Sequence, residues 1–573
     1  MEFKNWRTNL ILAVFFLIGA AIIGRLFYLQ ILNHKFYQAQ ALGQQAGFQE
    51  TQGARGEIFC QNSQATLGQS GSGEIKSLAI GKDTWIISAN PKEIKDKNSF
   101  ADSLSKEIGE SKEFILSKLE SQSSYQIIKK GLSQDALKKV KALKLLGLSW
   151  QYSPGRYYPQ ETLASQLIGF VGGDGSGQYG LEGYYDDILR GKSGVKETKK
   201  GLDFIFSGQD PQAPLDGSDI YLTIDYNIQF QAESLLKEYE KNLKMESAQI
   251  IVAKPDTGRI LALVNFPSFN LNQYSKENNL DIFQNAAVQK LFEPGSIIKP
   301  FTMASALNEQ AITPETTYVD QGYVKLGPDT IYNFDHAKYG ERTMTEVLEK
   351  SINTGAVFAS QQIEHKIFMD YLDKFGFSEK TGIDLQGEVN SKNDLLRKGG
   401  DMEFATAAFG QGINATPMQI VRGFCSIANG GKLVKPYIVD KIVNGRDELK
   451  TNQQNPRQII SKDTASKVTA MMINVVEKGF GDQARIPGYY IAGKTGTAEI
   501  AFPDKKGYYS DKTVQSFVGF APALNPQFLI MIKLDDPKVP KSSLSAAPIF
   551  KDLAQYIINY WQIPPDYDVN SKK

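Results

Sequence analysis

EPGSIIKP, residues 293–300, joins a tight turn to the start of a helix. Proline is tolerated only in the first helical turn, so Pro300 predicts that the helix begins at or near Ser296. Ser296 and Lys299 then lie one turn apart on the same face, with the serine at the positive end of the helix dipole. A hydroxyl beside an amine at this place is a candidate nucleophile and base. Because Ser-x-x-Lys is common by chance, the rest of the chain must decide its meaning.

The bulk composition excludes several classes of function. The chain has 573 residues, which predicts roughly three or four domains. Its 64 basic and 63 acidic residues give no case for a nucleic-acid partner. The cysteines and histidines, few in number, show no metal-ligand spacing, and no histidine lies beside a candidate nucleophile. We therefore expect neither a metal, nor a cofactor, nor a histidine-based triad.

The N-terminus has the pattern of a membrane anchor. Residues 10–24 are wholly apolar, and the run continues past Arg25 to Leu32. If the arginine snorkels, residues 9–32 reach the length of about 20 residues that a span requires. A cleaved signal peptide is the alternative, but no polar break follows the small residues at 19–21. The basic residues within 1–8 predict a cytoplasmic N-terminus and an extracytoplasmic remainder.

Residues 33–215 form a mixed, mostly polar region in which no cluster of side chains suggests chemistry. Apolar residues recur at helical spacing within 100–145. The composition predicts a flexible loop at 62–76 and a linker at 207–218.

The second half predicts an α+β domain with an antiparallel sheet flanked by helices. An apolar hairpin is expected around the Pro-Asp-x-Gly turn at 255–258. At least two helices are expected within 344–374, and the tail from 564 is polar. The other predicted elements are strands at 220–224, 248–253, 260–264, 489–497, 514–521 and 527–533, and helices at 226–243 and 549–561.

Two later motifs accompany Ser296 and Lys299: Ser351-Ile352-Asn353 and Lys494-Thr495-Gly496-Thr497. Singly, Ser351 can be read as the cap of a helix that begins near Thr354, and the Lys-Thr-Gly segment as a surface strand. In this order and spacing, the three motifs resemble those of penicillin-binding proteins and serine β-lactamases.

The resemblance extends over residues 10–560 and is specific to class B penicillin-binding proteins. It includes Arg55-Gly56-Glu57-Ile58, Gly180-Leu181-Glu182-Gly183 and Gly410-Gln411-Gly412. It implies a transmembrane helix, an elongated mixed α/β pedestal at 33–215 (the dimerisation domain) and a serine β-lactamase-like transpeptidase domain at 216–563, with a tail at 564–573.

Class membership implies a D,D-transpeptidase that cross-links peptidoglycan stem peptides and that β-lactam antibiotics acylate. The implied nucleophile is Ser296 and the implied base is Lys299; Ser351 relays a proton. The backbone N–H groups of Ser296 and Thr497 are expected to form the oxyanion hole. The further site residues are Asn353, which binds the substrate amide and Lys299, Lys494, Thr495 and Thr497, which hold the substrate carboxylate, and Gly496, where a side chain would block the substrate.

Several alternatives stay open at this point. A bifunctional class A enzyme, a class D β-lactamase and a membrane-bound β-lactam sensor share the motifs but lack this pedestal. A division scaffold with secondary catalysis is a different class of function. Within class B, the motifs look closer to the septal FtsI type than to the elongation type. The expected protein partners are a polytopic membrane glycosyltransferase and other cell-division proteins, at the plasma or inner membrane.

Overall fold

The computed structural model describes residues 6–28, 31, 48–51, 53–62, 74–197, 213–334, 336–451, 455–502 and 507–569. These residues form two compact units. The first unit lies within residues 1–56, 83–154 and 190–218, and the second within 57–82, 155–189 and 219–573. Most of the loop predicted at 62–76, part of the linker predicted at 207–218 and both chain ends lie outside the described residues.

The predicted anchor overlaps a helix at Trp6–Phe27. Arg25 lies in its last turn, where the partial negative charge of the terminal carbonyl groups favours a cation. Within the described ranges, the structure contains no helix with both the length and the apolar character needed to cross a membrane. The membrane anchor therefore stays a prediction.

A small helical core fills the first unit. The helices Lys97–Ile108, Lys112–Leu119 and Gln134–Ala142 each begin at a side-chain cap, for which Asp96, Ser111 and Ser133 supply the oxygen. The helical pattern predicted across 100–145 is interrupted by a strand, Gln126–Leu132, which pairs with the end of Ile75–Ala89. Its adjacent β-branched pair, Ile127 and Ile128, favours an extended backbone. The unit contains helices Trp6–Phe27, Lys97–Ile108, Lys112–Leu119 and Gln134–Ala142, strands Phe48–Thr51, Gln126–Leu132 and Gly194–Glu197, and parts of Ile75–Ala89 and Leu148–Tyr157.

A five-stranded antiparallel sheet, the central sheet, organises the second unit. Its strands lie in the order Ile260–Phe266, Ser247–Ala253, Phe528–Asp535, Tyr508–Ala521 and Ala492–Ala501, so that Ala492–Ala501 is an edge strand. Successive side chains of a strand point to opposite faces. Both faces of this sheet are covered by helices, which explains why Ser247–Ala253, Ile260–Phe266 and Phe528–Asp535 appear in the sequence as largely apolar runs.

Two hydrophobic cores lie against the central sheet. Ile250 belongs to the core that includes helices Tyr226–Leu243 and Ala546–Trp561. Ile251 belongs to the larger core, which includes Lys299–Asn308 and Pro417–Ala428. The predicted α+β class with an antiparallel sheet is confirmed.

The rest of the second unit consists of short helices and small sheets. Strand Asp219–Asp225 pairs in parallel with Ile58–Gln61 and antiparallel with Val439–Asn444. Thr317–Asp320 pairs with Gly340–Thr343, and between them lies the hairpin Tyr323–Leu326 and Asp329–Tyr332. The further strands are Phe170–Val171, Gly177–Gln178, Lys432–Leu433, Asp447–Lys450 and Arg457–Gln458. The further helices are Ser165–Ile168, Gly180–Tyr184, Asp186–Leu189, Ala286–Gln289, Met344–Glu349, Asn353–Gln361, His365–Lys374, Asp394–Arg397, Asp401–Ala407 and Lys462–Glu477, with 3-10 turns at Leu271–Lys276, Leu280–Phe283, Gly295–Ile298, Asp482–Ala484 and Ser542–Leu544.

The predicted strands and helices of the second half are present, with shifted ends. The helix predicted at 226–243 occupies those residues. The strand predicted at 489–497 begins later, at Ala492, and the strand predicted at 514–521 begins earlier, at Tyr508. The hairpin turn closes as expected, with Gly258 at φ 78° and its N–H donating to the carbonyl of Lys254.

Candidate active site

Ser296 lies in a 3-10 turn, Gly295–Ile298, that leads directly into the helix Lys299–Asn308. Pro300 occupies the first turn of that helix, as predicted. In a 3-10 turn the side chains of residues i and i+3 eclipse each other. The local geometry therefore places Ser296 and Lys299 on one face.

A glycine clamp fixes the turn that carries Ser296. The N–H of Gly295 donates to the carbonyl of Gly410 at 3.0 Å, and the N–H of Gly412 donates to Glu293 Oε1 at 3.1 Å. A Cβ atom at Gly410, whose φ is 90°, would lie 2.0 Å from the carbonyl oxygen of Gly295. Only glycine can occupy position 410 at this separation.

The Lys299 amine is fully buried and has short contacts to the second motif. Its Nζ lies 2.6 Å from the carbonyl oxygen of Ser351, 2.8 Å from Asn353 Oδ1 and 3.3 Å from Ser351 Oγ. Burial, and secondarily the charge of Lys494, hold the pKa of Lys299 well below its ordinary value. A neutral Lys299 amine needs only two hydrogens for the two short contacts, which leaves its lone pair available.

Lys494 approaches the same hydroxyl group from the edge strand. Its Nζ donates to Ser351 Oγ at 2.9 Å and to the carbonyl of Thr495 at 2.9 Å. Its side chain is also fully buried, and burial lowers the pKa of Lys494 to about 7. Ser351 Oγ therefore lies between two amines that lose their charge far more readily than exposed lysines do.

Ser351 adopts a left-handed backbone conformation, with φ 53°. Such a conformation costs a non-glycine residue about 1–3 kcal/mol and is concentrated at functional sites. The helix that follows, Asn353–Gln361, has Ile352 as its N-cap. The interpretation of Ser351 as a helix cap is therefore wrong, because an N-cap needs an extended backbone. Ser351 instead contributes its hydroxyl and carbonyl oxygens to the two lysines.

Gly496 is also required by contacts within the protein. A Cβ atom there would lie 2.4 Å from Ser516 Oγ and 2.9 Å from Ile297 Cγ2. A side chain at 496 would therefore collide with the neighbouring strand and with the turn that carries Ser296. The glycine lets the edge strand pack directly against that turn.

An open cleft of about 580 Å³ lies above these groups. Ser296, Ser351, Asn353, Thr495 and Thr497 line it, whereas Lys299 and Lys494 lie beneath its floor. The edge strand Ala492–Ala501 forms one side, and one of its backbone edges is unpaired within the central sheet. The walls also contain aromatic and basic side chains: Tyr332, Phe334, Lys350, Phe480 and Lys541.

A polar group behind the second motif, the Asn333 side chain, has no signal in the sequence. Asn333 Oδ1 accepts hydrogen bonds from the N–H groups of Asn353 and Thr354, at 3.1 and 3.2 Å. Asn333 precedes the motif by about 20 residues and matches no catalytic pattern, so only the fold brings the two together. The role of Gly410 in the clamp also depends on a contact across more than 100 residues.

Comparison with known proteins identifies the chain. The model of the penicillin-binding protein transpeptidase domain matches residues 248–555, and that of the penicillin-binding protein dimerisation domain matches residues 50–222. Stage V sporulation protein D of Bacillus subtilis is 31% identical, over 82% of this chain and 75% of its own length. Peptidoglycan D,D-transpeptidase FtsI of Buchnera aphidicola is 34% identical, over 72% of this chain and 71% of its own length.

A solved structure shows the same fold. The crystal structure of penicillin-binding protein 3 from Mycobacterium tuberculosis, complexed with aztreonam, superimposes with a TM-score of 0.69 at 24% identity, covering 91% of this chain and 99% of that one. The chain belongs to the class B penicillin-binding proteins, which join a transpeptidase domain to a dimerisation domain, and it is a D,D-transpeptidase.

Proposed function

We propose that the protein cross-links peptidoglycan stem peptides through an acyl-enzyme on Ser296. The observation that carries this proposal is the pair of buried lysines that share the hydroxyl of Ser351 beneath the cleft. A serine hydroxyl is a weak nucleophile unless a base removes its proton. The lowered pKa of Lys299 favours the neutral form of its amine, which can act as such a base.

In the first step, Ser296 Oγ attacks the carbonyl carbon between the two terminal D-alanines of a stem peptide. The neutral amine of Lys299 takes the hydroxyl proton. The C–N bond then breaks, and the proton passes through Ser351 to the nitrogen of the departing D-alanine. The products are free D-alanine and an ester between the peptide and Ser296. Asn353 binds the substrate amide in the opposite wall of the cleft.

The edge strand supplies the groups that recognise the substrate. Lys494, Thr495 and Thr497 hold the terminal carboxylate, for which a protonated Lys494 is the natural counter-ion. The N–H groups of Ser296 and Thr497 stabilise the oxyanion of the tetrahedral intermediate. Removing one such preorganised donor typically reduces the rate by about 10²–10³.

In the second step, an amine of a stem peptide on a neighbouring glycan strand attacks the ester carbonyl. The bond from the acyl carbon to Ser296 Oγ breaks, and the hydroxyl recovers its proton as the new amide forms. The result is a peptide cross-link and a regenerated enzyme. No cofactor or metal takes part in this scheme.

Covalent labelling by a β-lactam tests the nucleophile. The M. tuberculosis relative was crystallised in complex with aztreonam, which supports β-lactam binding by this chain. We expect a fluorescent penicillin to label the full-length protein in detergent, and Ser296→Ala to abolish the labelling. Persistent labelling of the alanine variant at the wild-type rate would refute the assignment.

We further propose that the protein works at the cytoplasmic membrane, with its N-terminus in the cytoplasm and its catalytic unit outside, during septal wall synthesis. The likeness to FtsI supports the septal role, and the apolar segment at 9–32 supports the anchor. A polytopic membrane glycosyltransferase that makes the glycan strand is the partner we expect. A fluorescent fusion to the full chain should accumulate at the division site; an even distribution along the side wall would favour the elongation role instead.

A further inference from the structure

A fully buried carboxylate lies behind the active site without a basic partner. Asp320, the last residue of strand Thr317–Asp320, has no exposed surface. Its two oxygens accept hydrogen bonds from the N–H of Gly322 at 2.9 Å, the N–H of Tyr339 at 2.7 Å and Thr354 Oγ1 at 2.7 Å. In the described part of the chain, no lysine, arginine or histidine forms an ion pair with it. The carboxylate of Asp320 is therefore hydrogen-bonded by uncharged donors.

Asn333 is the remaining donor to this carboxylate. Its Nδ2 lies 3.0 and 3.2 Å from the two oxygens of Asp320, and 2.9 Å from the carbonyl oxygen of Ala337. A carboxylate can only accept hydrogen bonds, so the amide nitrogen of Asn333 must face it. The amide oxygen of Asn333 must then face the other way. Asp320, together with the carbonyl group of Ala337, thereby fixes the orientation of the Asn333 amide.

The oxygen of Asn333 meets the start of the helix that carries the second motif. It accepts the N–H groups of Asn353 and Thr354, which open the helix Asn353–Gln361. The first N–H groups of a helix have no acceptor within the helix. Asn333 therefore acts as their cap, in the absence of any side-chain cap from Ile352. Thr354 is held from both sides, because its hydroxyl also donates to Asp320.

This cap controls a residue that contacts the Lys299 amine. Asn353 is the first residue of the helix; its Oδ1 accepts from Lys299 Nζ at 2.8 Å, and its Nδ2 donates to the carbonyl of Tyr332 at 3.1 Å. Two residues earlier, Ser351 adopts its left-handed conformation and supplies the other short contact to Lys299. The contacts of Asp320 thus reach the proposed base in three steps.

We propose that Asp320 is a positioning residue for acyl transfer, which acts through Asn333 to fix Asn353 and, with it, Lys299. The inference rests on the proposed Ser296 acyl-enzyme. Every hydrogen-bond partner of Asp320 is a donor, so an asparagine at 320 would set its own NH₂ group against at least one of them. The resulting repulsion would displace Asn333 and, through its hydrogen bonds to the helix N-terminus, shift Asn353.

The test is Asp320→Asn in the full-length protein, with acylation by a fluorescent penicillin followed over time at several concentrations. We expect the acylation rate constant to fall roughly 10- to 100-fold, because displacing a catalytic group by about 1 Å costs on the order of 10²-fold. The dissociation constant of the pre-covalent complex should change little. A change confined to that dissociation constant, or a wild-type rate constant, would overturn the proposal.

Asp384→Asn is a matched control for the loss of a buried carboxylate. Asp384 is also buried, and it accepts from the N–H groups of Ile438 and Val439 and from the hydroxyl of Tyr185, but it does not line the active-site cleft. We expect it to lower the melting temperature while leaving the acylation rate constant near that of the wild type. An equal loss of rate in both variants would reduce Asp320 to a general structural role.

A double-mutant cycle with Asn353→Ala separates positioning from stability. If Asp320 acts through Asn353, Asp320→Asn should cost little more once Asn353 is absent; multiplicative losses would contradict the relay. Should Asp320→Asn fail to fold, Asn333→Ala interrupts the same relay and is expected to lower the same rate constant. Ser296→Ala remains a separate arm. If that variant is labelled, the acyl-enzyme proposal fails, whereas a wild-type rate for Asp320→Asn overturns only the present inference.

Discussion

Replacing Gly410 with alanine is expected to slow acylation without touching any proposed catalytic side chain. A Cβ atom there would lie 2.0 Å from the carbonyl oxygen of Gly295, whereas real Cβ atoms essentially never approach closer than 3.0 Å. The clamp or the Ser296 turn must therefore move by about 1 Å. A displacement of that size at a reacting group costs on the order of 10²-fold in rate. The second-order rate constant of labelling by a fluorescent penicillin measures the effect.

Gly412→Ala provides the control within the same loop. Gly412 also has a positive φ, 70°, but the nearest atom to an added Cβ is Thr406 Oγ1 at an ordinary 3.5 Å. Both alanine variants carry the strain of a left-handed backbone, whereas only Gly410→Ala causes the collision. Equal rates for the two folded variants would refute the argument that the clamp positions Ser296.

Three further predictions concern the lysines and the core. Lys299→Arg keeps the charge but cannot supply a neutral base, so acylation should fall by about 10²–10⁴; a near-normal labelling rate would exclude the base role. Because the pKa of Lys494 is about 7 in the folded protein and 10.5 ordinarily, the unfolded state binds an extra proton between these values. The free energy of unfolding should therefore rise with pH across that window, with a contribution from Lys494 of up to about 1.4 kcal/mol per pH unit, and Lys494→Met should make the slope smaller in urea denaturation, leaving the part that Lys299 contributes. Parallel curves for the two proteins would contradict the lowered pKa. Phe301→Ala, which empties a fully buried site between three phenylalanine rings, should cost about 3–5 kcal/mol in the same assay, and a loss below about 1 kcal/mol would contradict tight packing there.

Local sequence signals were enough to predict the main elements of the second unit. The Pro-Asp-x-Gly turn marked the hairpin, and Pro300 marked the start of the Lys299 helix, because both depend on backbone preferences of a few residues. The same local preference predicted that the side chains of Ser296 and Lys299 lie on one face of the turn. The strand Gln126–Leu132 was not predicted, because its conformation depends on pairing with Ile75–Ala89 rather than on an alternating apolar pattern of its own.

The groups that position the site could not be read from the sequence. Asp320 and Asn333 lie in a polar hairpin region, and their meaning depends on which backbone amides the fold brings to them. The positive φ of Ser351 likewise depends on contacts made by other segments. At Gly496 the sequence indicated a need for glycine but did not show the proximity of Ile297 and Ser516. Such requirements are set by tertiary distances and leave no periodic pattern.

The shared hydroxyl of Ser351 has a consequence for how the site holds protons. Lys494 and Lys299 lie 2.9 and 3.3 Å from it, and a charge on Lys494 lowers the pKa of Lys299. Proton binding to the two amines is therefore anticooperative, and their titration belongs to the pair rather than to either residue. The first proton binds more readily than the second, although burial disfavours both. Over a range of pH the pair therefore holds one ammonium and one amine. Two independent, exposed lysines would both be protonated at neutral pH.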